Sequence, residues 1–444
     1  MPATLSPKTS DVNAKSSDGF AKLHSYPYAL LNLTKNRPLQ LHDLPECKNA
    51  LLLQGPVGPF FRKLADHLER QGSAVYKVNF NAGDDLFYPP KNNNVIQYQY
   101  RLDYWPSFAS KLISDKGIDA VFLFGDCRPI HEPIRSICIA LNVKVFVFEE
   151  GYLRPGFYTL EQFGVNHNSV ISQLSINSIL EDYEPSLQFD EIKSTYQSSY
   201  EFMVRHAIRY WIANLLPNEN YIHYDHHRSL DLIRGFHWVR NFYRFWLYNI
   251  REKKLKSRIL KKEIVINNDQ SYFLLPLQVF DDAQITHHSN YPSIEHFIEE
   301  VITSFSKHIE ESQRNDVLII KHHPMDRGHV NYGIFIEKLS SILAIKKHVV
   351  YIHDIHLPAL LTKLSGCITV NSTLGLQAIF HGVPTINLGR SIYNKPGLTY
   401  QGDLDSFWSD QGLMNQAAVQ AFRNYLICHT QVNGSLYDPN YKIV

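Results

Sequence analysis

Short apolar runs alternate with helix-like segments in the first half of the chain. Ala50-Leu51-Leu52-Leu53-Gln54 is an apolar run, and residues 60–70 after it carry apolar side chains at helical spacing. The next run, at 73–80, alternates between apolar and polar positions, so the three segments predict one strand–helix–strand unit. The pattern continues with a predicted helix at 105–116, a strand at 120–124, a helix at 131–141 and a strand at 143–148.

A second series of the same kind begins near Ser271. Its predicted strands are 272–278, 317–321, 349–352, 367–370 and 384–388, and its predicted helices are 293–306, 333–343, 357–364 and 374–381. Nearly continuous apolar strands separated by amphipathic helices are typical of parallel sheets covered on both faces. The sequence therefore predicts an α/β fold with two doubly wound, Rossmann-like domains in tandem.

The segment between the two series has a different composition. Residues 201–262 contain 13 Lys and Arg against 5 Asp and Glu, and three of the five Trp. The pattern predicts helices at 202–216 and 236–260 that mix aromatic and basic side chains. Such helices can lie on an anionic membrane surface. The alternative is an inter-domain insertion whose aromatic side chains form a core and whose charges are solvated.

These patterns divide the chain into five expected segments. They are an N-terminal leader with the first elements (1–47), an N-terminal Rossmann-like domain (48–200), a helical basic and aromatic insertion (201–265), a C-terminal Rossmann-like domain (266–400) and a helical return segment (401–444). We expect the two Rossmann-like domains to face each other across a cleft.

Composition narrows the class of protein. The 444 residues contain 44 Lys and Arg against 43 Asp and Glu, a near-neutral balance that argues against a nucleic-acid-binding protein. The five Cys are scattered without CxxC spacing, which is typical of a reducing compartment and gives no zinc or disulfide framework. No apolar run approaches the ~20 residues that cross a bilayer. We therefore expect a cytoplasmic protein that uses no metal and no cofactor.

Polar side chains follow two predicted strands of the second series. Lys321-His322-His323-Pro324 follows one strand, and Asn371-Ser372-Thr373 follows another. Ligands bind beyond the carboxyl ends of strands in open α/β sheets, and these side chains together with a helix N-terminus can hold an anion without a metal. The pair predicts a nucleotide phosphate between the two strand ends. The alternative for Ser372 and Thr373 is a structural helix cap.

Carboxylates follow two other predicted strands. Glu149 and Glu150 follow the 143–148 strand, and one of them with a raised pKa could act as a general acid or base. The alternative is a structural ion pair of these carboxylates with Arg154. After the 272–278 strand come Gln278, Asp281 and Asp282, for which the alternative role of either Asp is a helix cap.

Two further polar residues could reach the same cleft from the first domain. Asp126 and Arg128 follow the 120–124 strand in the sequence Gly125-Asp126-Cys127-Arg128-Pro129. For Asp126, an interaction that stabilises the turn is the competing interpretation.

Four motifs that carry these side chains occur in a fixed order. They are Phe148-Glu149-Glu150-Gly151-Tyr152-Leu153-Arg154-Pro155, then Leu275-Pro276-Leu277-Gln278 with Asp281-Asp282, then Lys321-His322-His323-Pro324, then Asn371-Ser372-Thr373-Leu374-Gly375. Together they resemble the KpsS (LipB-like) family of bacterial capsule polysaccharide biosynthesis and export proteins, over roughly residues 48–400. The resemblance implies a retaining β-Kdo glycosyltransferase of GT-B-like architecture. It also implies transfer of Kdo from CMP-Kdo to a (lyso)phosphatidylglycerol anchor, which starts the poly-Kdo linker.

The resemblance also assigns roles to individual residues. His323-Pro324 is similar to the element that contacts the CMP moiety, and Ser372 and Thr373 match a hydroxyl cluster near the donor phosphate. Glu149 and Glu150 match an acid/base element. The segment from Gln278 to Asp282 matches a strand end that holds a nucleophilic Asp in KpsC. In this chain Leu277 precedes Gln278, so Asp281, Asp282 and a residue elsewhere stay open as the nucleophile.

The implied partners follow from this assignment. They are CMP-Kdo, a phosphatidylglycerol or lyso-phosphatidylglycerol acceptor, the inner-membrane surface on its cytoplasmic face, and capsule biosynthesis and export machinery that includes a KpsC-like transferase. No nucleic acid is expected. Two alternatives remain: a non-catalytic factor that couples capsule synthesis to export, and a transferase for another CMP-sugar such as sialic acid.

Overall fold

The computed structural model describes most of the chain. The described residues are 37–181, 183, 189, 200–215, 218–223, 232–261, 270–279 and 291–443, with the side chains of 232–235 not described. The candidate nucleophiles Asp281 and Asp282 lie outside these ranges.

The first half of the chain forms a mainly parallel sheet. Its strands are β1 (Asn49–Leu52), β2 (Ala74–Asn79), β3 (Val95–Gln97), β4 (Ala120–Phe124), β5 (Lys144–Glu150) and β6 (Phe157–Gln162). They lie side by side in the order β6-β5-β4-β1-β2-β3, and all pairs are parallel except β5 with β6. The sequence pattern predicted β1, β2, β4 and β5, whereas β3 and the antiparallel β6 were missed.

Helices cover both faces of this sheet. They are α1 (Phe60–Arg70), α2 (Ala82–Phe87), α3 (Trp105–Asp115), α4 (Glu132–Ala140), α5 (Val170–Gln173) and α6 (Ile176–Glu181), with 3-10 turns at Leu41–Asp43, Leu102–Tyr104 and Asn166–Asn168. Helix α1 buries Phe60, Phe61 and Leu64 against one face, and α3 buries Trp105 and Ala109 against the other. The strands are apolar throughout because each face of the sheet is covered.

The helical segment after α6 does not pack as a separate unit. It contains α7 (Tyr200–Leu215), a 3-10 turn (Glu219–Tyr221), α8 (Leu232–Arg251) and α9 (Lys253–Leu260). Tyr210 of α7 hydrogen bonds to Asp84 in the first domain, whereas Arg240 of α8 donates to the carbonyl of Gly328 in the second. The predicted helix at 236–260 is divided at Glu252, whose buried carboxylate accepts bonds from the backbone N–H and the ring of His353.

The second half forms a sheet of five parallel strands in the described residues. These are β7 (Tyr272–Pro276), β8 (Val317–Lys321), β9 (Val349–Ile352), β10 (Gly366–Thr369) and β11 (Thr385–Asn387). The accompanying helices are α10 (Ile294–Ser312), α11 (Gly333–Ile342), α12 (Leu357–Leu361), α13 (Thr373–Phe380) and α14 (Leu404–Phe407), with 3-10 turns at Pro324–Gly328 and Lys346–His348. The sequence pattern predicted all five strands.

The two sheets share one topology. The second has the order β9-β8-β7-β10-β11, and the parallel part of the first has the order β3-β2-β1-β4-β5. Both are the Rossmann order 3-2-1-4-5, in which successive strands are added on one side of the first strand up to the third and on its other side from the fourth. The predicted architecture of two Rossmann-like domains, a GT-B-like fold, is therefore confirmed.

The C-terminal segment returns to the first domain. Helix α15 (Gln416–His429) leads into β12 (Gln431–Asn433), which pairs antiparallel with β6 as the seventh strand of the first sheet. Phe422 of α15 lies in one buried apolar cluster with Tyr152 of the first domain and Leu376 of the second. This cluster joins the two halves, so burying it contributes to holding them together.

A buried lysine adds a polar contact between the halves. Lys395 of the second domain donates from Nζ to the carbonyl oxygens of Ile171, at 2.9 Å, and Leu174, at 2.5 Å. Burial lowers the pKa of Lys395 to about 8.

Within the described ranges, no helix has both the length and the apolar content that crossing a bilayer requires.

Candidate functional site

The topological switch point of the second domain lies between β7 and β10. Gln278 follows β7 and Asn371 follows β10, and the Gln278 amide Nε2 donates to Asn371 Oδ1 at 2.9 Å. The other amide atom of Gln278, Oε1, is buried and accepts no hydrogen bond from the described residues. A buried acceptor without a donor is costly, and in open α/β folds this crevice is where ligands bind. Gln278 therefore offers an acceptor to a ligand.

The strand end on one side of Gln278 carries His322 and His323 in different environments. His322 is fully buried, its Nδ1 lies 2.7 Å from the hydroxyl of Tyr351, and burial lowers its pKa to about 3. His323 is only partly buried, and its Nδ1 accepts from the backbone N–H of Met325 at 3.2 Å. A neutral imidazole that accepts at Nδ1 carries its proton on Nε2. His323 can therefore donate to an anion, whereas His322 supports the strand end from within.

Lys321 and Pro324 flank this histidine pair. Lys321 is buried, with Nζ 3.5 Å from the carbonyl oxygen of His322, and burial lowers its pKa. Pro324 is the first residue of the 3-10 turn that His323 caps. Its fixed φ suits a helix start, so the His-Pro pair holds the imidazole at a defined strand end.

The strand end on the other side of Gln278 is the start of α13. Ser372 is the N-cap, and its hydroxyl accepts from the backbone N–H of Leu374 at 3.1 Å. The Tyr393 hydroxyl fixes the loop by donating to the Ser372 carbonyl at 2.7 Å. The predicted cap is therefore present. In this cap the Ser372 hydroxyl oxygen accepts, so the hydroxyl hydrogen can still donate to an anion. Thr373, partly buried at the first helical position, is also suited to an anion.

The two strand ends are separated by one strand. Because β7 lies between β8 and β10, His323 and Ser372 follow strands about 10 Å apart in the sheet. Gln278 lies between them. The three strand ends thus bring together the predicted polar groups over a width suited to a nucleotide.

The first domain has an equivalent bridge at its own switch point. Gln54 follows β1, and its Oε1 accepts from Arg128 at 2.8 Å, across the gap between β1 and β4. Arg128 also donates to the Gly55 carbonyl and lies over the Phe124 ring. The other amide atom of Gln54, Nε2, donates to the Tyr210 hydroxyl and the Asp84 carboxylate. This switch point is therefore filled by side chains of the chain itself.

Glu149 and Glu150 lie on opposite faces of β5. Glu150 follows Phe148 on the α1 face and accepts from the Tyr437 hydroxyl at 2.6 Å. Glu149 follows Val147 on the other face, and burial raises its pKa to about 7, although the Glu150 backbone N–H and the Arg128 charge oppose this. A carboxyl with a pKa near neutrality suits a general acid or base. Of the two predicted carboxylates, Glu149 has this property.

The remaining first-domain candidates make structural contacts. Asp126 accepts from the backbone N–H of Val165, at 3.2 Å, and from the Asn168 amide, at 3.1 Å, so it anchors the loop after β6. Arg154 donates to the Gly151 carbonyl at 3.0 Å. Among the described residues, no ion pair joins Arg154 to Glu149 or Glu150, and the structural ion pair considered from the sequence is absent there.

Contacts between the halves bring the carboxyl edges of the two sheets together. Asp126, at the end of β4, anchors the loop after β6. This loop contains His167, whose Nε2 lies 3.4 Å from Arg390 beyond the end of β11. Tyr152, just after β5, shares a buried cluster with Leu376 of α13. The carboxyl ends of β4 and β5 therefore lie on the side of the first domain that meets the carboxyl ends of β10 and β11.

Sequence reasoning missed three residues of this arrangement. Gln54, Tyr437 and Lys395 were not singled out, and the last two are joined to their partners only by contacts across more than 200 residues. Gln54 had a detectable signal, since Leu53-Gln54 after β1 corresponds to Leu277-Gln278 after β7.

Comparison with known sequences defines the class of this protein. Residues 119–437 match the capsule polysaccharide biosynthesis protein family. The chain belongs to this family. It is 36% identical to the capsule polysaccharide modification protein LipB of Neisseria meningitidis serogroup B over 410 residues, which are 90% of this chain and 95% of that protein.

One further relative and one solved structure extend the comparison. The chain is 35% identical to the capsule polysaccharide export protein KpsS of Escherichia coli over 391 residues, covering 88% of this chain and 97% of that protein. Among solved structures, the β-Kdo 2,7-transferase KpsC of Thermosulfurimonas dismutans aligns with a TM-score of 0.43 and 12% identity, covering 89% of this chain and 95% of that chain.

Proposed function

We propose that this protein is a glycosyltransferase that moves Kdo from CMP-Kdo to a phosphatidylglycerol or lyso-phosphatidylglycerol acceptor. The observation that carries the proposal is the grouping of His323, Gln278 and Ser372 on three adjacent strand ends at a Rossmann switch point. Membership of the capsule polysaccharide biosynthesis family supports a reaction on capsule material. We propose CMP-Kdo as the donor because the four motifs resemble those of the KpsS family.

The second domain would bind the donor. CMP carries one phosphate, and the Ser372 hydroxyl, the start of α13 and the His323 imidazole are donors suited to that charge. The same donors stabilise the phosphate as it leaves, so the reaction needs no metal and no cofactor. The unsatisfied Oε1 of Gln278 offers an acceptor to a hydroxyl or amino group of the nucleotide.

The first domain would supply the acid/base. In its ionised form Glu149 accepts the proton of the acceptor hydroxyl while that oxygen bonds to the anomeric carbon of Kdo. A pKa of about 7 leaves a large ionised fraction at neutral pH and keeps the carboxylate basic enough to take the proton. Glu150 would serve as a structural residue held by Tyr437.

A retaining reaction requires a second carboxylate as nucleophile. In the proposed sequence, that carboxylate bonds to the anomeric carbon as CMP leaves with the electron pair of the broken bond. The acceptor oxygen then displaces the carboxylate, and Glu149 receives the proton. Asp281 and Asp282, which follow Gln278 in the chain, are the candidates for this role.

The proposal is tested by incubating the purified protein with CMP-Kdo and a phosphatidylglycerol analogue. We expect CMP release and a lipid product heavier by one Kdo residue. Parallel reactions with CMP-sialic acid test the other donor. Binding of neither CMP-sugar, with no product, would refute the transferase and favour a non-catalytic coupling factor. Transfer from CMP-sialic acid alone would refute the choice of Kdo.

A further inference from the structure

Helix α8 presents an apolar stripe to solvent and turns Arg240 and Arg244 toward the protein. Six large apolar side chains are between 56% and 78% exposed, and at 100° per residue they fall within an arc of roughly 120°. They are Phe236, Val239, Phe242, Tyr243, Trp246 and Ile250. A surface helix of a soluble domain has the opposite arrangement, with the apolar stripe buried and the charges outside.

The inward face of α8 is fixed by polar contacts to the loop after β8. Arg240 donates to the carbonyl oxygens of Gly328, at 2.5 Å, and His329, at 3.1 Å, and Arg244 donates to that of Arg327 at 2.7 Å. A Cβ on Gly328 would lie 2.2 Å from the backbone oxygen of His237, so helix and loop approach as closely as glycine allows. The orientation of α8 is therefore set, and its apolar face cannot turn inward.

The exposed face is larger than solitary surface side chains would produce. Six such side chains present on the order of 600 Å² of apolar surface, at the upper end of what monomeric proteins expose as one patch. Contiguous patches of this size mark interaction surfaces.

The charge around the patch selects its partner. Between Phe236 and Lys261 the chain has eight Lys and Arg and one acid, Glu252, which is buried against His353. Exposed cations at Arg251, Lys253 and Lys254 lie at the end of α8 and the start of α9. A second copy would bring equal positive charges together, which is unfavourable. Aromatic side chains bordered by cations instead match the headgroup region of an anionic bilayer.

We infer that the outer face of α8, with the cations that begin α9, docks this protein on an anionic lipid bilayer. Because the inner face of α8 packs on Pro324–Gly328, docking would place the His323 strand end about one helix diameter, roughly 10 Å, from the lipid surface. The inference does not depend on the transferase reaction proposed above.

Vesicle flotation tests the inference. The vesicles contain phosphatidylserine in phosphatidylcholine, so that the anionic lipid is not the proposed acceptor. We expect the full-length protein to bind these vesicles, to bind phosphatidylcholine alone far more weakly, and to dissociate as salt increases. A Phe242→Ser/Trp246→Ser variant is expected to bind at least tenfold more weakly, and Lys253→Gln/Lys254→Gln roughly 25-fold more weakly, at about fivefold per cation.

A matched control uses another exposed apolar pair in the second domain. Ile334 and Ile342 on α11 are 83% and 70% exposed, and Ile334→Ser/Ile342→Ser is expected to leave vesicle binding unchanged. Quenching by brominated lipid reports on the orientation, since Trp246→Phe is expected to bind but to lose much of the quenching. Equal vesicle binding by the wild type and the Phe242→Ser/Trp246→Ser variant would overturn the inference.

Two further readouts separate the possible failures. Sedimentation velocity without lipid is expected to give the same mass for wild type and the Phe242→Ser/Trp246→Ser variant. A dimer that this variant converts to a monomer would assign the face to a second copy and overturn the inference. CMP binding in the absence of vesicles is expected to be equal in both proteins. Vesicle binding without Kdo transfer would refute the proposed function alone, and transfer without vesicle binding would refute the docking alone.

Discussion

Gln278 and Asn371 join the first and fourth strands of the second Rossmann-like domain through a 2.9 Å hydrogen bond. Gln54 and Arg128 make the corresponding connection in the first domain at 2.8 Å. The two bridges differ in whether both polar atoms of the glutamine amide have hydrogen-bond partners. Gln54 has partners at both ends of its amide, whereas Gln278 retains a buried acceptor without a donor from the described residues. This difference supports the proposal that the nucleotide binds in the second domain.

Replacing each glutamine by leucine tests that assignment. Gln278→Leu is expected to weaken CMP binding about tenfold or more, because it removes both the ligand acceptor and the support of Asn371. Gln54→Leu is the matched control. It is expected to lower the free energy of unfolding by about 1–3 kcal/mol through loss of the Arg128, Tyr210 and Asp84 contacts, with CMP affinity unchanged. Calorimetric titration with CMP measures the affinities, and an equal loss in both variants would contradict the assignment.

The pH dependence of turnover tests Glu149. Because its pKa is about 7 and the ionised form is the base, the rate of Kdo transfer is expected to rise through neutral pH and level off above it. Glu149→Gln is expected to lower turnover roughly 10²- to 10⁴-fold, which is the usual contribution of a general base, and to remove this rise with pH. Glu150→Gln serves as the comparison, and a wild-type pH profile is expected because Glu150 is bound to Tyr437 on the other face. A rise that persists in Glu149→Gln would show that another group titrates.

The same residue is expected to limit stability at higher pH. The ordinary pKa of a glutamate is 4.5 and that of folded Glu149 is about 7, so between these values the folded state binds more protons than the unfolded state. Stability from this group is therefore lost as pH rises through the folded pKa. At pH 8, Glu149→Gln is expected to raise the free energy of unfolding by about 1–3 kcal/mol relative to wild type, and at pH 4 by little. Urea unfolding at both values measures this, and equal effects at pH 4 and pH 8 would contradict it.

Two substitutions separate the roles of His323. An Asn at this position can still accept from the Met325 N–H as a helix cap, whereas an Ala cannot. Both His323→Ala and His323→Asn are expected to weaken CMP binding about tenfold, since neither side chain places an N–H donor at the position of the imidazole Nε2. Only His323→Ala is expected to lose the cap, at a cost of about 1 kcal/mol in unfolding free energy. Wild-type CMP affinity in His323→Asn would show that His323 serves as a structural cap and does not bind the nucleotide.

Local sequence pattern predicted the parallel strands because their apolar runs reflect burial on both faces. It missed β6 and β12, which contain buried polar residues such as Glu161 and Gln431. The partner of β12 is β6, more than 260 residues earlier in the chain, so local pattern carries no signal of this pairing. It also predicted one helix over 236–260, whereas the structure has two, α8 and α9, which meet at Glu252.

The candidate site was predictable to the level of strand ends but not of side-chain direction. His322 and His323 are adjacent and chemically identical in the sequence, and only the structure distinguishes the one packed against Tyr351 from the one at the loop. The same holds for Glu149 and Glu150, which a strand of period two sends to opposite faces. Composition identified α8 as aromatic and basic, whereas its apolar face became visible only once Arg240 and Arg244 were located on the inner side.

A crystal structure with bound CMP would locate the donor site. We expect the phosphate within hydrogen-bonding distance of the Ser372 hydroxyl and the His323 ring, with the nucleotide over Gln278. CMP bound at Gln54 in the first domain, or far from both Ser372 and His323, would contradict this expectation.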